Sequence, residues 1–486
     1  MKRKLALWSL PCTLLLAATA HALPPTATPD YEIWISGASA SDGFIGELLT
    51  ELCVDGTLDT YFDDSSNPGR AQRAFFCTID ETQITGGLDV AQPDVLIHKR
   101  SAGGSALGVR PVCDKLTGGA GNEDPIDFLQ IDTDCVFDNG TGAYLCPPDQ
   151  LVQVHPDAGV SDVGPGEFTD GLQSSNCDVT NSSFGLVFGI LANLRLRDAL
   201  QSAQGLNVGS DAAADVPSLS TSQIRSILVG NVPTWDRLTF NGQGLNTYAQ
   251  GLVSNTVNVC RRVPTSGTQT QSQLVLLGSG CIAGALGPAG APGNPFTGPV
   301  VVENSGSGDV ELCMQAVEDG GTVDNVGGST TFQPGMAIGV QSTEKNGDEA
   351  FDYRHIRIDG VLPTINNAAK GLYQDWVVST VQWKFPFVDD GNRDDIVAIL
   401  DQIVRDAANP AAVASANTNA DFVHDWGQGG ALALAENGCS TDTTFDIGNP
   451  CTPYTRSPGG TPNNCTGPYL LDSESSPSRI EQLLKR

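Results

Sequence analysis

The chain has 486 residues, and its 26 Lys and Arg against 56 Asp and Glu give a formal net charge of −30. This length allows about two or three domains, each with its own hydrophobic core. So acidic a surface repels phosphate backbones and anionic membranes, which excludes nucleic-acid binding as a class of function. A small-anion site is still compatible with this charge, because a buried pocket responds mainly to nearby helix ends and donors.

Residues 1–22 have the pattern of a secretory signal peptide. Three basic residues at 2–4 precede an apolar run at 5–18, and the small residues that follow predict cleavage after Ala22. The alternative, an uncleaved membrane anchor, is disfavoured because the apolar run is short for a bilayer and contains Pro11. We therefore expect a periplasmic or secreted mature chain with no transmembrane segment and a net charge of −33, from 23 basic and 56 acidic residues.

The number and spacing of the cysteines are consistent with export. Of 13 in the chain, one lies in the signal segment, and the remaining 12 form no CxxC pair. The spacing supports neither a zinc site nor a redox motif, and no other metal or cofactor motif is present. An even number in an oxidising compartment predicts disulfides, and the sequence leaves their pairing open.

The first elements predict strands that run into small-residue turns. Residues 31–36 (YEIWIS) have a strand's composition, a turn of small residues follows, and apolar residues recur at helical spacing from Asp42 onward. Ser41 or Asp42 occupies the N-cap position of that helix. A second strand at 95–97 leads into another small-residue turn at 101–105. Repeated units of this kind predict an α/β sheet with ligands at the carboxyl ends of its strands.

The middle and end of the chain predict further elements of the same class. The region 113–180 has little periodicity and is interpreted as a disulfide-tied insert of loops. A glycine-spaced apolar strand is predicted at 184–193, and helices at 219–229 and 394–405. The cysteine- and proline-rich tail after residue 438 is interpreted as an irregular cap.

The sequence contains none of the common catalytic motifs, but one segment has the features of a ligand site. The sequence has no GxSxG, HExxH or GxxxxGK motif. In the segment 260–277, Arg262 follows an alternating strand, and Ser266-Gly267-Thr268 opens a predicted helix. A helix N-terminus, two hydroxyls and a guanidinium together can hold a tetrahedral oxyanion. The alternative interpretation is a simple N-cap beside a surface arginine.

Several segments in chain order resemble the periplasmic phosphate-binding proteins of ABC importers. They cover about a third of the chain. The specific ones are LSTSQIRSILVGNVPTWDRL and CRRVPTSGT, and the supporting ones are ISGASASDGF, GVSDVGPGEF, GMAIGVQS and IDGVLPTINNAAKGLYQDW.

The resemblance implies an α/β chain with the two-lobed type II periplasmic-binding-protein fold and a hinge. The first lobe is expected at 23–190, with the insert at 113–180, and the second lobe at 191–375. The chain returns to the first lobe at 376–486, where the tail also lies. A ligand held in the cleft closes the lobes because it contacts both of them.

The resemblance also implies an anion site built from both lobes. Its expected members are Arg262, Ser266, Gly267 and Thr268 from one lobe and Ser39, Ser41, Asp162 and a serine at Ser101 or Ser105 from the other. A carboxylate at Asp162 accepts a hydrogen bond only from a protonated oxyanion, which favours hydrogen phosphate over sulfate. The alternative for Asp162 is a turn residue that bonds its own backbone.

Two positions depart from the family pattern. Asp42 stands where the family has an aromatic residue, and its charge would weaken anion binding if it pointed inward. Pro264 stands where the family has an acidic residue that steadies the arginine, so Arg262 needs other partners.

The functional expectation is an exported, monomeric solute-binding protein without enzymatic activity. Its ligand is phosphate or a related oxyanion, and an ABC permease is the expected partner. Two alternatives stay open at this point. One is a surface or matrix interaction protein that keeps the fold without the ligand, and the other is a secreted phosphatase-like hydrolase.

Overall fold

The computed structural model describes residues 23–63, 71–114, 124–169, 171–291, 298–385, 388, 391–438, 445–457 and 461–471. The predicted signal segment, Cys439 and the last 15 residues lie outside this part of the chain. The α-helices are α1 (Asp42–Leu52), α2 (Arg110–Cys113), α3 (Leu194–Gln204), α4 (Thr221–Leu228), α5 (Gly267–Gln271), α6 (Ser307–Asp319), α7 (Ile365–Ala369), α8 (Arg393–Ala408) and α9 (Pro410–Ala416). Helix α5 continues as a π-helical segment, Ser272–Leu277.

The strands alternate with these helices along much of the chain. They are β1 (Tyr31–Gly37), β2 (Asp59–Phe62), β3 (Gln72–Thr78), β4 (Asp94–Arg100), β5 (Ile126–Leu129), β6 (Val136–Asp138), β7 (Ala143–Leu145), β8 (Leu151–Val154), β9 (Ala158–Ser161), β10 (Val179–Asn193), β11 (Ser218–Leu219), β12 (Thr239–Phe240), β13 (Gln243–Gly244), β14 (Ser254–Arg262), β15 (Val300–Asn304), β16 (Thr322–Asn325), β17 (Gly328–Thr331), β18 (Gly335–Ser342), β19 (Tyr353–Ile358), β20 (Trp376–Trp383), β21 (Val423–His424), β22 (Gly427–Gln428), β23 (Ala431–Leu434), β24 (Cys451–Thr452), β25 (Tyr454–Thr455) and β26 (Tyr469–Leu470).

Most of these strands join one mixed sheet of 16 strands. Its main path runs β15-β14-β18-β10-β20-β9-β1-β4-β3-β2-β7-β6, and β19 and β23 also pair with β10. Strand β1 pairs parallel with β4 and β9, and β14 pairs parallel with β15 and β18. Two parallel regions are thus linked through the antiparallel strands β10 and β20.

Strand β10 changes partners halfway along its length. Its residues 179–187 pair with β20, and its residues 188–192 pair with β18. The side chains follow the same division. Leu186 belongs to a core shared with β1, β4, β9, α1 and α8, and Ile190 belongs to a core shared with β14, β18, α3 and α4. These two cores define a first and a second lobe, joined by β10 and β20, so the predicted two-lobed α/β fold is confirmed. The exact lobe boundaries stay a prediction.

The parallel pairing brings six chain segments to one cleft. The carboxyl ends of β1, β4 and β9 lie side by side in the first lobe, and those of β14, β15 and β18 lie side by side in the second. In an α/β sheet the loops that leave such ends form the ligand crevice. The loops after β1, β4, β9 and β14 carry the residues that the sequence singled out.

The insert and the tail contain more strand than expected. The region 113–180 includes the short strands β5 to β8 in place of loops alone, because segments of three or four residues are too short to show an alternating pattern.

The predicted disulfides are present. They are Cys53–Cys77, Cys113–Cys177, Cys135–Cys146, Cys260–Cys313 and Cys281–Cys465. In the part of the chain with described structure, no helix has both the length and the apolar character needed to cross a membrane.

Candidate functional site

Three helices begin at the cleft between the lobes. Helix α1 starts after Ser41 in the first lobe, and α5 and α6 start after Ser266 and Gly306 in the second. The first turn of a helix has free backbone N–H groups and a partial positive charge. The Ser41 and Ser266 side chains make no capping bond to their own helices, so their hydroxyls are available to the cleft. The cleft is therefore suited to a small anion.

Arg262, at the end of β14, is buried in the cleft with 2% of its surface exposed. One terminal nitrogen donates to Ser39 Oγ at 2.8 Å and to Ser307 Oγ at 3.3 Å. The other donates to the Ser305 carbonyl at 2.5 Å, and Nε donates to the Asn304 carbonyl at 3.3 Å. Burial lowers the pKa of Arg262 to about 10, which leaves it cationic at neutral pH.

Arg262 has other partners in place of the acidic residue that Pro264 replaces. The carbonyl of Asn304 at the end of β15 and that of Ser305 in the following loop take the place of an acidic partner and fix the plane of the Arg262 guanidinium. The interpretation of Arg262 as a surface residue is wrong, because its side chain is enclosed by both lobes.

The two lobes touch each other directly around this arginine. Ser39 Oγ lies 3.0 Å from Ser307 Oγ across the cleft, and the Ala106 amide donates to the Thr265 carbonyl at 2.8 Å. A methyl group on Gly267 would lie 2.3 Å from Ser105 Oγ. Only glycine allows the first turn of α5 to approach the first lobe this closely. The cleft is therefore closed over its polar residues.

Asp162 follows β9 and faces the start of α5. Its Oδ2 accepts a hydrogen bond from the Thr268 hydroxyl at 3.4 Å, and its amide donates to Ser105 Oγ at 3.2 Å. Burial raises its pKa to about 6, although the nearby charges of Arg262 and Lys99 oppose this rise. The alternative of a turn residue that bonds its own backbone does not describe these contacts.

Three buried polar groups of the cleft have no hydrogen-bond partner among the described residues. They are Ser41 Oγ, Ser266 Oγ and Asp162 Oδ1. An unsatisfied buried polar group costs about 1–3 kcal/mol. A small guest with several oxygen atoms and one proton would satisfy two donors and one acceptor here.

Asp42 does not place an uncompensated charge in the cleft. Its carboxylate lies 3.0 Å from Lys99 Nζ and 3.3 Å from Arg73 Nη2, and it accepts a hydrogen bond from Ser101 Oγ at 2.8 Å. Burial alone would raise the pKa of Asp42, but these two cations hold it below its usual value. The charge of Asp42 is therefore compensated within the first lobe.

The structure brings the nine predicted residues into one region, where they have different environments. Six of them line the contact between the lobes: Ser39, Ser105, Asp162, Ser266, Gly267 and Thr268. Arg262 lies beside them. Ser41 is buried at the start of α1 with an unpartnered hydroxyl. The Ser101 hydroxyl is already occupied by Asp42 and Lys99, so Ser105 is the better candidate of that turn. Their role as ligands stays a prediction.

Sequence reasoning missed three residues of this region. Lys99 and Arg73 lie in strands β4 and β3, where alternation predicts a buried or exposed face but no ion pair. Ser307 begins α6 after β15, and the strand-turn-helix pattern that revealed Ser41 and Ser266 recurs there at residues 300–307. That repeat was the available signal. Among the described residues, no group of three or more His, Cys, Asp and Glu could hold a metal ion.

Comparison with known proteins finds similar solved structures. No family model matches the chain, and no curated protein matches it. A protein assigned as a phosphate ABC transporter substrate-binding protein from Clostridium perfringens, solved with bound phosphate, is 13% identical with a TM-score of 0.38. The similarity covers 78% of this chain and 96% of that chain.

Two other solved structures are similar over different shares of the chain. PstS from Borrelia burgdorferi is 9% identical with a TM-score of 0.32, covering 78% of this chain and 96% of its own. An ABC-type phosphate transport receptor from Vibrio cholerae is 16% identical with a TM-score of 0.28, covering 51% and 74%. Identity and TM-score are low in all three, so any assignment of function rests on the geometry of the cleft.

Proposed function

We propose that this chain is an exported solute-binding protein that captures phosphate or a related tetrahedral oxyanion between its lobes. An ABC-type permease is the proposed acceptor of the captured solute. Cleavage after Ala22 would release the mature protein to the periplasm or the medium, where it acts as a monomer.

The observation that carries this proposal is the set of unsatisfied buried groups at the cleft. Ser41, Ser266 and Asp162 keep unpartnered oxygens beside three helix N-termini and one buried guanidinium. An oxyanion that bridges both lobes would complete these hydrogen bonds and favour the closed state over the open one. Inorganic hydrogen phosphate carries both the acceptors and the proton that this set requires.

Binding without catalysis fits the same contacts. Ser101 lies beside the amine of Lys99, from which it receives a hydrogen bond, and it donates to Asp42. Lys99 also lies within ion-pair distance of Asp42, so it is a poor general base for a nucleophilic hydroxyl. The hydrolase alternative predicts release of a chromophore from p-nitrophenyl phosphate, abolished by Asp162→Asn.

Calorimetry with purified mature protein tests the proposal. Phosphate and arsenate should bind with a dissociation constant in the micromolar range or tighter. Arg262→Ala should weaken binding by about 100-fold or more, because a charge-assisted bond is lost and two carbonyls are left unpaired.

Arg261→Ala is the matched control for this change. Arg261 is adjacent in the chain and forms an ion pair with Glu303 at 2.6 Å. Its loss should leave phosphate binding close to that of the parent protein. Folded protein that gives no heat with phosphate, arsenate, sulfate or molybdate would reject the binding function and favour the surface-protein alternative.

A further inference from the structure

A groove of about 480 Å³ opens beside the anion cleft. Its inner wall consists of the first turns of α1 and α6, one from each lobe. Ser39 and Ser307 line this wall, and the same two hydroxyls accept hydrogen bonds from Arg262. The groove is therefore separated from the anion position by a pair of serine hydroxyls that lie 3.0 Å apart.

Gly46 on α1 leaves space in the groove. A methyl group added there would meet only the Phe75 ring of the groove lining, at 3.5 Å. Glycine within a helix costs about 1 kcal/mol relative to alanine. A site for inorganic phosphate alone needs no such space next to it.

The groove is acidic, whereas the anion cleft holds the buried guanidinium of Arg262. Five carboxylates line it against the two cations Arg73 and Lys345. Asp42 is balanced by Lys99 and Arg73 at the inner end. The rest of the lining has Glu47, Glu311, Asp348 and Asp421 against Lys345, which also forms an ion pair with Glu344 at 3.4 Å, so it keeps an excess of negative charge.

The anion cleft and the groove together suit a ligand that has a negative group at one end and a positive group at the other. The anion cleft offers helix N-termini and a guanidinium to an anionic group. The groove offers carboxylates to a cationic group. The aromatic rings of Phe62, Phe75 and Phe351 line the groove and can cover a short carbon chain. An ammonium group there would be stabilised by charge attraction to the carboxylates and by cation–π attraction to the aromatic rings.

We propose that the ligand is a phosphate monoester or phosphonate whose short organic group carries an amine, with the phosphate in the cleft and the amine in the groove. This inference rests on the proposed function of the cleft and names its substrate class. The organic group would pass between Ser39 and Ser307 and replace their hydroxyl contact of 3.0 Å.

Three probes of graded structure test this proposal by calorimetry. They are inorganic phosphate, ethyl phosphate and O-phosphoethanolamine, and the last two differ only by the amine. O-phosphoethanolamine should bind at least about 10-fold more tightly than ethyl phosphate, because only it can place a cation among the groove carboxylates.

Two variants separate the groove from the cleft. Gly46→Leu fills the groove with a side chain that the helix favours, and it should weaken O-phosphoethanolamine at least about 10-fold more than inorganic phosphate. The double change Asp348→Asn/Asp421→Asn removes two exposed carboxylates of the rim and should reduce the advantage of the amine. Asp132→Asn/Asp134→Asn removes the same charge from the insert and serves as its control.

The outcomes distinguish this inference from the function on which it rests. Phosphate binding together with O-phosphoethanolamine that binds no more tightly than ethyl phosphate would overturn the inference and leave the proposed function intact. An amine advantage that survives both groove variants would overturn it as well. Folded protein that binds none of the three probes would overturn both.

Discussion

The ionisation state of Asp162 decides which oxyanion the cleft can accept. Burial raises the pKa of this carboxyl to about 6. Above that pH it is a carboxylate that only accepts hydrogen bonds, and sulfate has no proton to donate. Below that pH it is a neutral acid that donates a hydrogen bond. We therefore predict that sulfate affinity rises as the pH falls from 8 to 5, by about 10-fold per unit above the pKa.

Asp162→Asn should remove this pH dependence, because the amide donates at every pH. The variant should also stabilise the unliganded protein at pH 8. A carboxyl with a raised folded pKa costs stability once the pH exceeds its unfolded value of about 4, and the cost is complete above about 6. Sulfate titrations at four pH values and a melting curve for each protein measure both effects. Sulfate binding that is flat with pH in the parent protein would contradict the assignment of Asp162 to the anion.

At the scale of elements, the strand-turn-helix units were predictable and the contacts between them were not. Apolar spacing located α1, α4 and α8. The small-residue turn after β1 marked Ser41 as a helix start, and the Ser-Gly-Thr segment after β14 marked Ser266. The partners of Asp42 come from strands β3 and β4, which only the sheet order places next to α1. Ion pairs between segments leave no periodic signal in a single sequence.

Because α5 approaches the first lobe so closely, we predict that Gly267→Ala hinders closure of the cleft. In Gly267→Ala the new methyl group would lie 2.3 Å from Ser105 Oγ and 2.7 Å from Asp162 Cβ. Alanine suits the helix itself, so the clash arises only when the lobes close. We expect phosphate affinity to fall by about 10-fold or more and the melting temperature without ligand to stay within a few degrees of the parent.

Small-angle scattering and calorimetry together measure this effect. Gly166→Ala is the control, since a methyl group there meets no atom within 4 Å. Phosphate should not compact Gly267→Ala at concentrations that saturate the control. Unaltered phosphate affinity in Gly267→Ala would show that the observed lobe contact is not the bound geometry.

At the scale of the whole molecule, the C-terminal tail contacts both lobes. Asn464 donates to Glu167 of the first lobe at 2.7 Å and accepts a hydrogen bond from the Val378 amide of β20 at 3.1 Å. Its neighbour Cys465 forms a disulfide with Cys281, which follows the α5 segment of the second lobe. The tail therefore spans the strand that connects the lobes, and any opening of the cleft has to strain or displace it.

Removing this disulfide should make the lobes move more freely. We predict that Cys281→Ser/Cys465→Ser lowers the unfolding free energy by about 2–4 kcal/mol and speeds phosphate dissociation several-fold, because the tail no longer restrains opening. Cys53→Ser/Cys77→Ser removes a disulfide within the first lobe and should lower stability without changing the dissociation rate. Stopped-flow release and denaturant unfolding of the three proteins separate the effects. Equal dissociation rates in all three would mean that the tail stabilises the lobes without restraining their opening.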